Sequence, residues 1–372
     1  MTGQTKISQL DSLRGLSFLA IFIFHTIHPV AGNNLIGNFF VSVYDHLPLA
    51  IDVFFILSAF LLTWLGLSEY KLKGSFSFKN YFIRRLLRIW PLYYFILAIA
   101  FIIIPLITSR LHIQVSLPDP QWYIFFVSNF YYIDHVFFLR FLWTISAEEQ
   151  FYLLLGTCLK FLSPFLLAIL LMMGITSIVF SSYCLFAEKD SYTNLLTWLI
   201  DFAAGGIAAC LLFRSKGLNR FFADLSFWST ALFYSYIPFH FIILYIIDLN
   251  FKGDKGVIEL VSRYLFITYI ALFIIEQIVN KNRTKILEKS RFLIYTGKIS
   301  YGLYCFHGLV LTFFTILFKK INYKAPDFIF FSVAFLLTYL LATISYRYLE
   351  SPFLKLKERF RKTNINQREI TM

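Results

Sequence analysis

The amino-acid sequence predicts an all-α fold, a polytopic membrane bundle of about ten transmembrane helices, and three observations support this. Hydrophobic residues make up 58% of the 372 positions and charged residues only 15%, whereas about 25% of a soluble protein is charged. The mean hydropathy is +0.68, and apolar runs of the roughly 20 residues that a span needs recur along the chain. We expect one transmembrane domain, residues 1–352, and a basic tail, residues 353–372.

The apolar runs divide the chain into ten predicted spans. In order they are 13–31, 47–68, 90–108, 143–162, 164–187, 193–213, 225–249, 257–280, 298–318 and 327–349. A further apolar segment, residues 122–134, is too short to span and is interpreted as re-entrant or interfacial. An even number of spans places both termini on the same side of the membrane.

The distribution of basic residues predicts that this side is the cytoplasm. With the N-terminus inside, 25 of the 34 Lys and Arg residues lie in cytoplasmic segments, as the positive-inside rule requires. Lys319, Lys320 and Lys324 lie outside, against this trend. The bias explains the net charge of +13 without a nucleic-acid partner. We expect a multi-pass protein of the cell membrane whose basic tail lies on anionic lipid.

Several common kinds of site have no counterpart in the sequence. There is no P-loop, no HExxH zinc helix and no GxSxG nucleophile elbow. The histidines are scattered, and the four cysteines lie in apolar runs without a CxxC pair, so neither a metal site nor a disulfide is predicted. The cysteines are Cys158, Cys184, Cys210 and Cys305.

The first predicted span carries an arginine at one end and a histidine well inside. Arg14 and His25 are 11 residues apart, which places them on one face of a helix, about 16 Å apart along its axis. Burial favours a neutral imidazole, the form that can act as a base or a nucleophile. In the alternative interpretation, Arg14 extends to the membrane surface and His25 makes one interhelical hydrogen bond.

The second predicted span contains two polar residues in the stretch DVFFILSAFLL. Asp52 has the same predicted depth as His25, so the sequence predicts that Asp52 orients the imidazole. Alternatively, Asp52 is hydrated from the outer side. Ser58 lies one and a half turns deeper and is a candidate substrate-binding residue.

A cluster of arginines precedes Pro91 in the stretch FIRRLLRIWPLYY. Pro91 favours a helix break or a helix start at this point. Arg84, Arg85 and Arg88, together with Arg14, are predicted to form a cationic cytoplasmic mouth, because the planar guanidinium suits phosphate. Simple positive-inside anchoring is the alternative interpretation.

Two further stretches place polar groups inside predicted spans. In TISAEEQFY two adjacent carboxylates cannot face the same direction on a helix, so we expect one to turn inward and the other to meet headgroup water. In ISYGLYCFH, Tyr301, Tyr304 and His307 share roughly one face. They are interpreted as a polar stripe that lines a cavity, and alternatively as a tyrosine–histidine packing network.

Six stretches, taken together and in order, resemble the membrane acyltransferase-3 family over nearly the whole chain. They are LDSLRGLSFLAIFIFH, IDVFFILSAFLL, YFIRRLLRIWPLYY, LWTISAEEQFYLL, KISYGLYCFH and YRYLESPFLKL. The family's arginine-x10-histidine pattern matches Arg14 and His25, and its R-x-x-R pattern matches Arg85 and Arg88. One departure is Ala59, where the family usually has glycine between serine and phenylalanine.

The resemblance implies an O-acyltransferase that moves an acyl group, usually acetyl, from cytoplasmic acyl-CoA to a hydroxyl of an extracytoplasmic glycan. Such glycans include lipopolysaccharide O-antigen, peptidoglycan and exopolysaccharide. Some members carry a C-terminal extracytoplasmic domain, and no counterpart of it is predicted in this sequence. We therefore expect acyl transfer to be completed within the membrane domain or with polysaccharide-assembly proteins. The family also implies that Glu149 is the inward carboxylate and that His307 belongs to the site.

The expected mechanism assigns each of these residues a role. Arg14, Arg85 and Arg88 hold the phosphates of acetyl-CoA, and His25 acts as the general base or carries the acyl group transiently. Glu149 or Asp52 orients His25, and His307 or a tyrosine hydroxyl donates to the thioester oxyanion. The competing predictions are a transporter or flippase without chemistry, and an acyltransferase for a small-molecule or lipid-linked acceptor.

Overall fold

The computed structural model describes residues 8–29, 34–110, 112, 116–131, 137–251, 255–280, 282–283 and 286–360, and within these ranges the chain is helical, without β-strands. The tail predicted over residues 353–372 lies outside the described residues from position 361 onward. The described part of the tail belongs to the last helix, Ser351–Glu358, and to its end.

Nineteen α-helices are present in the described ranges. They are α1 (Ser8–Thr26), α2 (Leu35–Asp45), α3 (Ala50–Lys73), α4 (Phe78–Ala98), α5 (Ile104–Arg110), α6 (Gln121–Ile124), α7 (Phe137–Arg140), α8 (Trp143–Phe161), α9 (Leu166–Phe186), α10 (Leu195–Arg214), α11 (Lys216–Ala223), α12 (Phe227–Tyr234), α13 (Tyr236–Asn250), α14 (Gly256–Val279), α15 (Ile286–Lys289), α16 (Arg291–Lys298), α17 (Ser300–Lys320), α18 (Asp327–Ser345) and α19 (Ser351–Glu358). Short 3₁₀ turns cover Leu47–Leu49, Ser128–Phe130 and Ser163–Phe165, and π-helical turns cover Ile99–Ile103 and Tyr346–Glu350.

Eight helical stretches of the described chain are long and apolar enough to cross a membrane. They are Leu35–Lys73, Phe78–Arg110, Ser163–Phe186, Leu195–Arg214, Phe227–Asn250, Gly256–Val279, Ser300–Lys320 and Asp327–Glu358. The first and fourth predicted spans form α1 and α8, helices of 19 residues each, and polar side chains make these two less apolar. The chain is a multi-pass helical membrane protein.

The helix α4 continues through Pro91, so the prediction of a break or a start at this proline is wrong. Proline removes one main-chain hydrogen bond, whereas a broken helix inside lipid would leave several polar groups unsatisfied. Packing holds the helix on both sides, because Ile89 and Leu92 are both buried. Arg85 and Arg88 therefore lie within a helix rather than in a loop before it.

The small-residue run AAGGIAAC in α10 packs closely against α3, as its composition predicts. A Cβ atom at Gly205 would overlap the main-chain carbonyl of Ile56. The helix that carries Ser58 is thus held at a fixed distance from α10. The same helix, α3, also contacts α1, so the helices that carry Ser58 and Arg14 lie side by side in the bundle.

Replacing Gly205 by alanine is expected to destabilise the protein by about 1–3 kcal/mol, the usual cost of overpacking, because the Ile56 main chain cannot move aside. Thermal denaturation in detergent measures the effect. Gly217→Ala is the matched control, since a Cβ there meets open space and alanine is the better helix former. Equal melting temperatures for the two variants would contradict the close-packing argument.

Candidate active site

Two histidines meet in the interior of the bundle. His25, near the end of α1, and His307, in the second turn of α17, have ring centroids 5.6 Å apart. Nδ1 of His307 lies 2.5 Å from the Tyr304 carbonyl oxygen. A carbonyl only accepts, so this nitrogen carries the proton. Nε2 of a neutral His307 therefore carries a lone pair and no proton. This nitrogen is buried without a partner among the described residues.

The His25 ring is also poorly satisfied by its surroundings. Its Nδ1 is buried and makes no well-formed hydrogen bond within the described chain, although the Ile21 carbonyl one turn earlier acts on the ring. Unsatisfied buried polar atoms are uncommon in native structures and often mark catalytic groups. The structure thus brings together the two histidines that the sequence singled out.

Phe141 completes this site and was missed in the sequence. Its ring centroid lies 4.7 Å from that of His25 and 4.4 Å from that of His307. The residue belongs to the turn between α7 and α8 and is one of 46 phenylalanines in the chain. Nothing in its local sequence distinguishes it from the others, because the contact is made only in the folded bundle.

The three predicted phosphate-binding arginines have guanidinium groups that the protein leaves unpaired. Arg14, Arg85 and Arg88 make neither an ion pair nor a hydrogen bond with any described residue, and Nε of Arg85 is buried without a partner. Arg14 is 9% exposed, so its predicted extension to the membrane surface is wrong. The positive charge of Arg88 is close enough to interact with those of Arg14 and Arg85. We call these three residues the arginine cluster.

Two other arginines that are partly buried in the described bundle, Arg84 and Arg263, are paired with carboxylates. Arg84, next to Arg85 on α4, donates to Glu69 Oε2 at 3.1 Å. Arg263 on α14 bonds two aspartates. The lack of partners is thus a property of the three-arginine cluster and not of arginines in this bundle generally.

Both carboxylates of the adjacent glutamate pair face the protein interior. Glu149 is 7% exposed, as expected of the inward residue, but its Oε2 is 3.5 Å from Trp90 Nε1 and it makes no contact with His25. Glu148 is partly exposed, and its Oε1 accepts a hydrogen bond of 2.9 Å from Ser58 Oγ, a contact that the sequence did not predict. The Glu148 charge acts on Arg14, so Ser58 and Glu148 border the arginine cluster.

The prediction that Asp52 orients His25 is wrong. Asp52 Oδ1 accepts from Arg263 Nε at 2.7 Å, and Asp201 Oδ2 accepts from Arg263 Nη2 at 2.7 Å. The Trp198 ring lies 4.4 Å from the same guanidinium carbon. Equal depth did not imply contact, because Asp52 points to the α10 and α14 side of α3. Arg263 inside a predicted span was the available sequence signal.

The hydroxyls of Tyr301 and Tyr304 are engaged with the main chain, which corrects their predicted role in binding substrate. Tyr301 donates to the Ile89 carbonyl at 2.8 Å and Tyr304 to the Phe141 carbonyl at 3.0 Å. They tie α17 to α4 and to the turn before α8. The packing-network interpretation of this stripe fits these contacts.

The described part of the chain contains no group of three or more His, Cys, Asp or Glu side chains that could hold a metal ion. The four cysteines are free thiols, all of them buried.

Comparison with known proteins decides the family. The profile of the acyltransferase-3 family, described as an acyltransferase domain, matches residues 7–347. The chain belongs to the acyltransferase-3 family. Five of the six stretches that resemble this family supply α1, α3, α4, α8 and α17, the helices that carry the site. Ala59, where the family usually has glycine, is fully buried and accommodated in the core.

Individual relatives come from Staphylococcus aureus. "Putative O-acetyltransferase SACOL0978" of strain COL is 30% identical over 94% of this acyltransferase chain and 57% of its own length. "O-acetyltransferase OatA" of strain NCTC 8325 is 26% identical over 93% of the chain and 57% of its own length. The chain thus spans little more than half the length of these curated relatives. No solved structure matches it.

Proposed function

We propose that the chain is an O-acetyltransferase that moves an acetyl group from cytoplasmic acetyl-CoA to a hydroxyl of an extracytoplasmic glycan. The observation that carries this proposal is the cluster of three unpaired arginines in the same bundle as two histidines with unsatisfied nitrogens. The names of the relatives support O-acetyl transfer. The positive-inside bias supports cytoplasmic termini and a place in the cell membrane.

The arginine cluster is suited to the phosphates of acetyl-CoA. Arginine donates in a planar fork that matches phosphate oxygens, and such charge-assisted bonds are about twice as strong as neutral ones. None of the three arginines forms an ion pair with a described carboxylate, although the Glu148 charge acts on Arg14, so their mutual repulsion is only partly offset in the free protein. A bound polyanion would offset this repulsion, which gives the substrate a binding energy that other anions of lower charge lack.

The spacing along α1 fits the donor as well. Arg14 and His25 are about 16 Å apart along the helix axis, a distance that the extended arm between the phosphates and the thioester of acetyl-CoA can cover. Anchoring the phosphates at Arg14 would therefore present the thioester carbon near His25. Holding the reacting groups in this way supplies the large advantage of an intramolecular reaction.

The histidine pair supplies the proton transfers of the reaction. A ring nitrogen of His25 takes the hydroxyl proton while the hydroxyl oxygen attacks the thioester carbon. The carbon–sulfur bond then breaks, and the thiolate receives that proton, so that acetyl ester and free thiol are the products. His25 as a transient acetyl carrier gives the same balance in two steps. Because Nδ1 of His307 donates to the Tyr304 carbonyl, its Nε2 is free to accept a hydrogen bond from the His25 imidazolium and to stabilise that cation.

The proposal is tested by following thiol release from acetyl-CoA in membranes that contain the protein, together with alkali-labile acetate on the isolated cell-surface glycan. We expect thiol release to depend on the glycan acceptor and the acetate to appear as an ester. Acetate-free glycan combined with transport of an unmodified sugar would favour the transporter prediction instead.

Replacing Arg85 or Arg88 by glutamine is expected to raise the apparent KM for acetyl-CoA about 10-fold or more per residue, since each charge-assisted bond contributes roughly 1.5–3 kcal/mol. The change in kcat should be smaller. Steady-state thiol release measures both constants. Arg84→Gln on the same helix is the control, because Arg84 is already paired with Glu69. An unchanged KM in the Arg85 and Arg88 variants would assign these residues to membrane anchoring.

A further inference from the structure

We propose that Phe141 determines the size of the acyl group that the two-histidine site accepts, and that Gly308 allows the Phe141 ring to occupy this position. This inference rests on the proposed acyl transfer and deepens it. It concerns a residue that lies outside the charged and polar groups discussed above and that contacts the reacting imidazoles directly.

The Phe141 ring closes the space around both imidazoles. The three ring centroids form a triangle with sides of 5.6, 4.7 and 4.4 Å, and Phe141 itself is only 7% exposed. An acyl carbon that reacts at His25 must lie about 3–3.5 Å from a ring nitrogen. The remainder of the acyl group then lies against the Phe141 ring.

The main chain holds Phe141 in this position. Its carbonyl oxygen accepts from the Tyr304 hydroxyl at 3.0 Å. Thr144 Oγ1 lies 3.1 Å from the same carbonyl oxygen and 2.8 Å from the Tyr304 hydroxyl. Because this network ties the turn before α8 to α17, Phe141 cannot swing away with its backbone when a larger acyl group enters.

Gly308, the neighbour of His307 on α17, provides the room for the ring. A Cβ atom on Gly308 would lie 2.8 Å from Cδ2 and 3.0 Å from Cε2 of Phe141, and 3.1 Å from the Phe138 Cα. These separations are too short for carbon atoms. An alanine at position 308 would therefore displace the Phe141 ring from the position that it takes against the two imidazoles.

The structure thus provides one change that removes the Phe141 ring and one that displaces it. One methylene group more or less in an apolar pocket changes kcat/KM by about 10- to 200-fold. Phe141→Ala should raise the ratio of kcat/KM for propionyl-CoA over acetyl-CoA by at least about 10-fold, and Phe141→Leu should raise it less. Gly308→Ala should lower kcat/KM for acetyl-CoA itself by about 10-fold, and adding Phe141→Ala should restore it.

The experiment measures thiol release from acetyl-, propionyl- and butyryl-CoA by purified wild-type and variant proteins with the same glycan acceptor. Phe202→Ala is the control, because Phe202 is fully buried and stacks on Phe151 away from the histidines. Phe141→Leu, the smaller change, decides the matter if Phe141→Ala does not fold.

An unchanged chain-length ratio in the Phe141 variants would overturn the inference, and so would an equal shift in Phe202→Ala. Rescue of Gly308→Ala by Phe141→Ala supports it, and failure of that rescue in a folded double variant contradicts it. A wild-type protein that releases no thiol from any acyl-CoA would instead overturn the proposed function on which the inference rests.

Discussion

Replacing His25 by alanine is expected to lower glycan acetylation by about 10²–10⁴-fold, the usual contribution of a general base. His25 has a buried ring nitrogen without a hydrogen-bond partner among the described residues. It also lies about 16 Å along α1 from Arg14 of the arginine cluster. If His25 carries the acetyl group covalently, the loss should reach the upper end of this range. Acetyl-CoA binding should be little affected, because the phosphate-binding residues are unchanged.

The matched control is His240→Ala. His240 is a buried histidine within a transmembrane segment, and its Nδ1 lies 3.3 Å from the Tyr236 hydroxyl. Its Nε2, like Nδ1 of His25, is buried without a partner among the described residues. His240 is not among the ring contacts of the two-histidine site. Comparable losses in the two variants would mean that any buried histidine supports the fold and that His25 has no chemical role. Full acetylation by a folded His25→Ala protein would also exclude the mechanism.

Replacing Arg263 by methionine is expected to have the largest effect on stability, a loss of about 3–5 kcal/mol in the free energy of unfolding. Arg263 lies between Asp52, which is 2% exposed, and Asp201, which is fully buried. Without the guanidinium, two carboxylates face each other in an apolar environment, and Asp201 already has one oxygen without a hydrogen bond. Thermal denaturation in detergent measures the loss.

Two further variants show whether the loss comes from uncompensated charge. Converting both aspartates to asparagine in the Arg263→Met background should recover part of the stability, because the remaining groups are then neutral. Arg347→Met is the control for removing an arginine, since Arg347 is exposed and contacts mainly the Tyr348 ring. A melting temperature of Arg263→Met equal to that of the control would show that the ion pairs contribute nothing.

Features that depend on one helix alone, such as its position in the chain and which residues share a face, could be predicted from the sequence. Each of the ten predicted spans contains a long helical segment, and the facing of Arg14 and His25 follows from helical periodicity alone. The arginine cluster could be identified because two of its members are three residues apart on one helix. Such arguments hold because an α-helix in lipid has little freedom to depart from regular geometry.

The contacts between helices could not be predicted in the same way. Depth in the membrane can be counted from the end of a span, but the direction in which a side chain points depends on how neighbouring helices pack. Asp52 therefore bonds to Arg263 rather than to His25, and Glu148 accepts a hydrogen bond from Ser58 on another helix. Phe141 lies in the turn between α7 and α8 and contacts both histidines. The two histidines lie in α1 and α17, which are distant from this turn in the sequence.

Arg14 and His25 lie on one unbroken helix, so α1 fixes the distance between the proposed phosphate site and the proposed reacting group. Inserting one residue between them would rotate His25 by about 100° around the axis, and inserting two whole turns would restore the facing but add about 10 Å. Neither change leaves both ends of an extended donor in place. In the proposed mechanism, the number of residues between Arg14 and His25 therefore sets the length of the donor that can react.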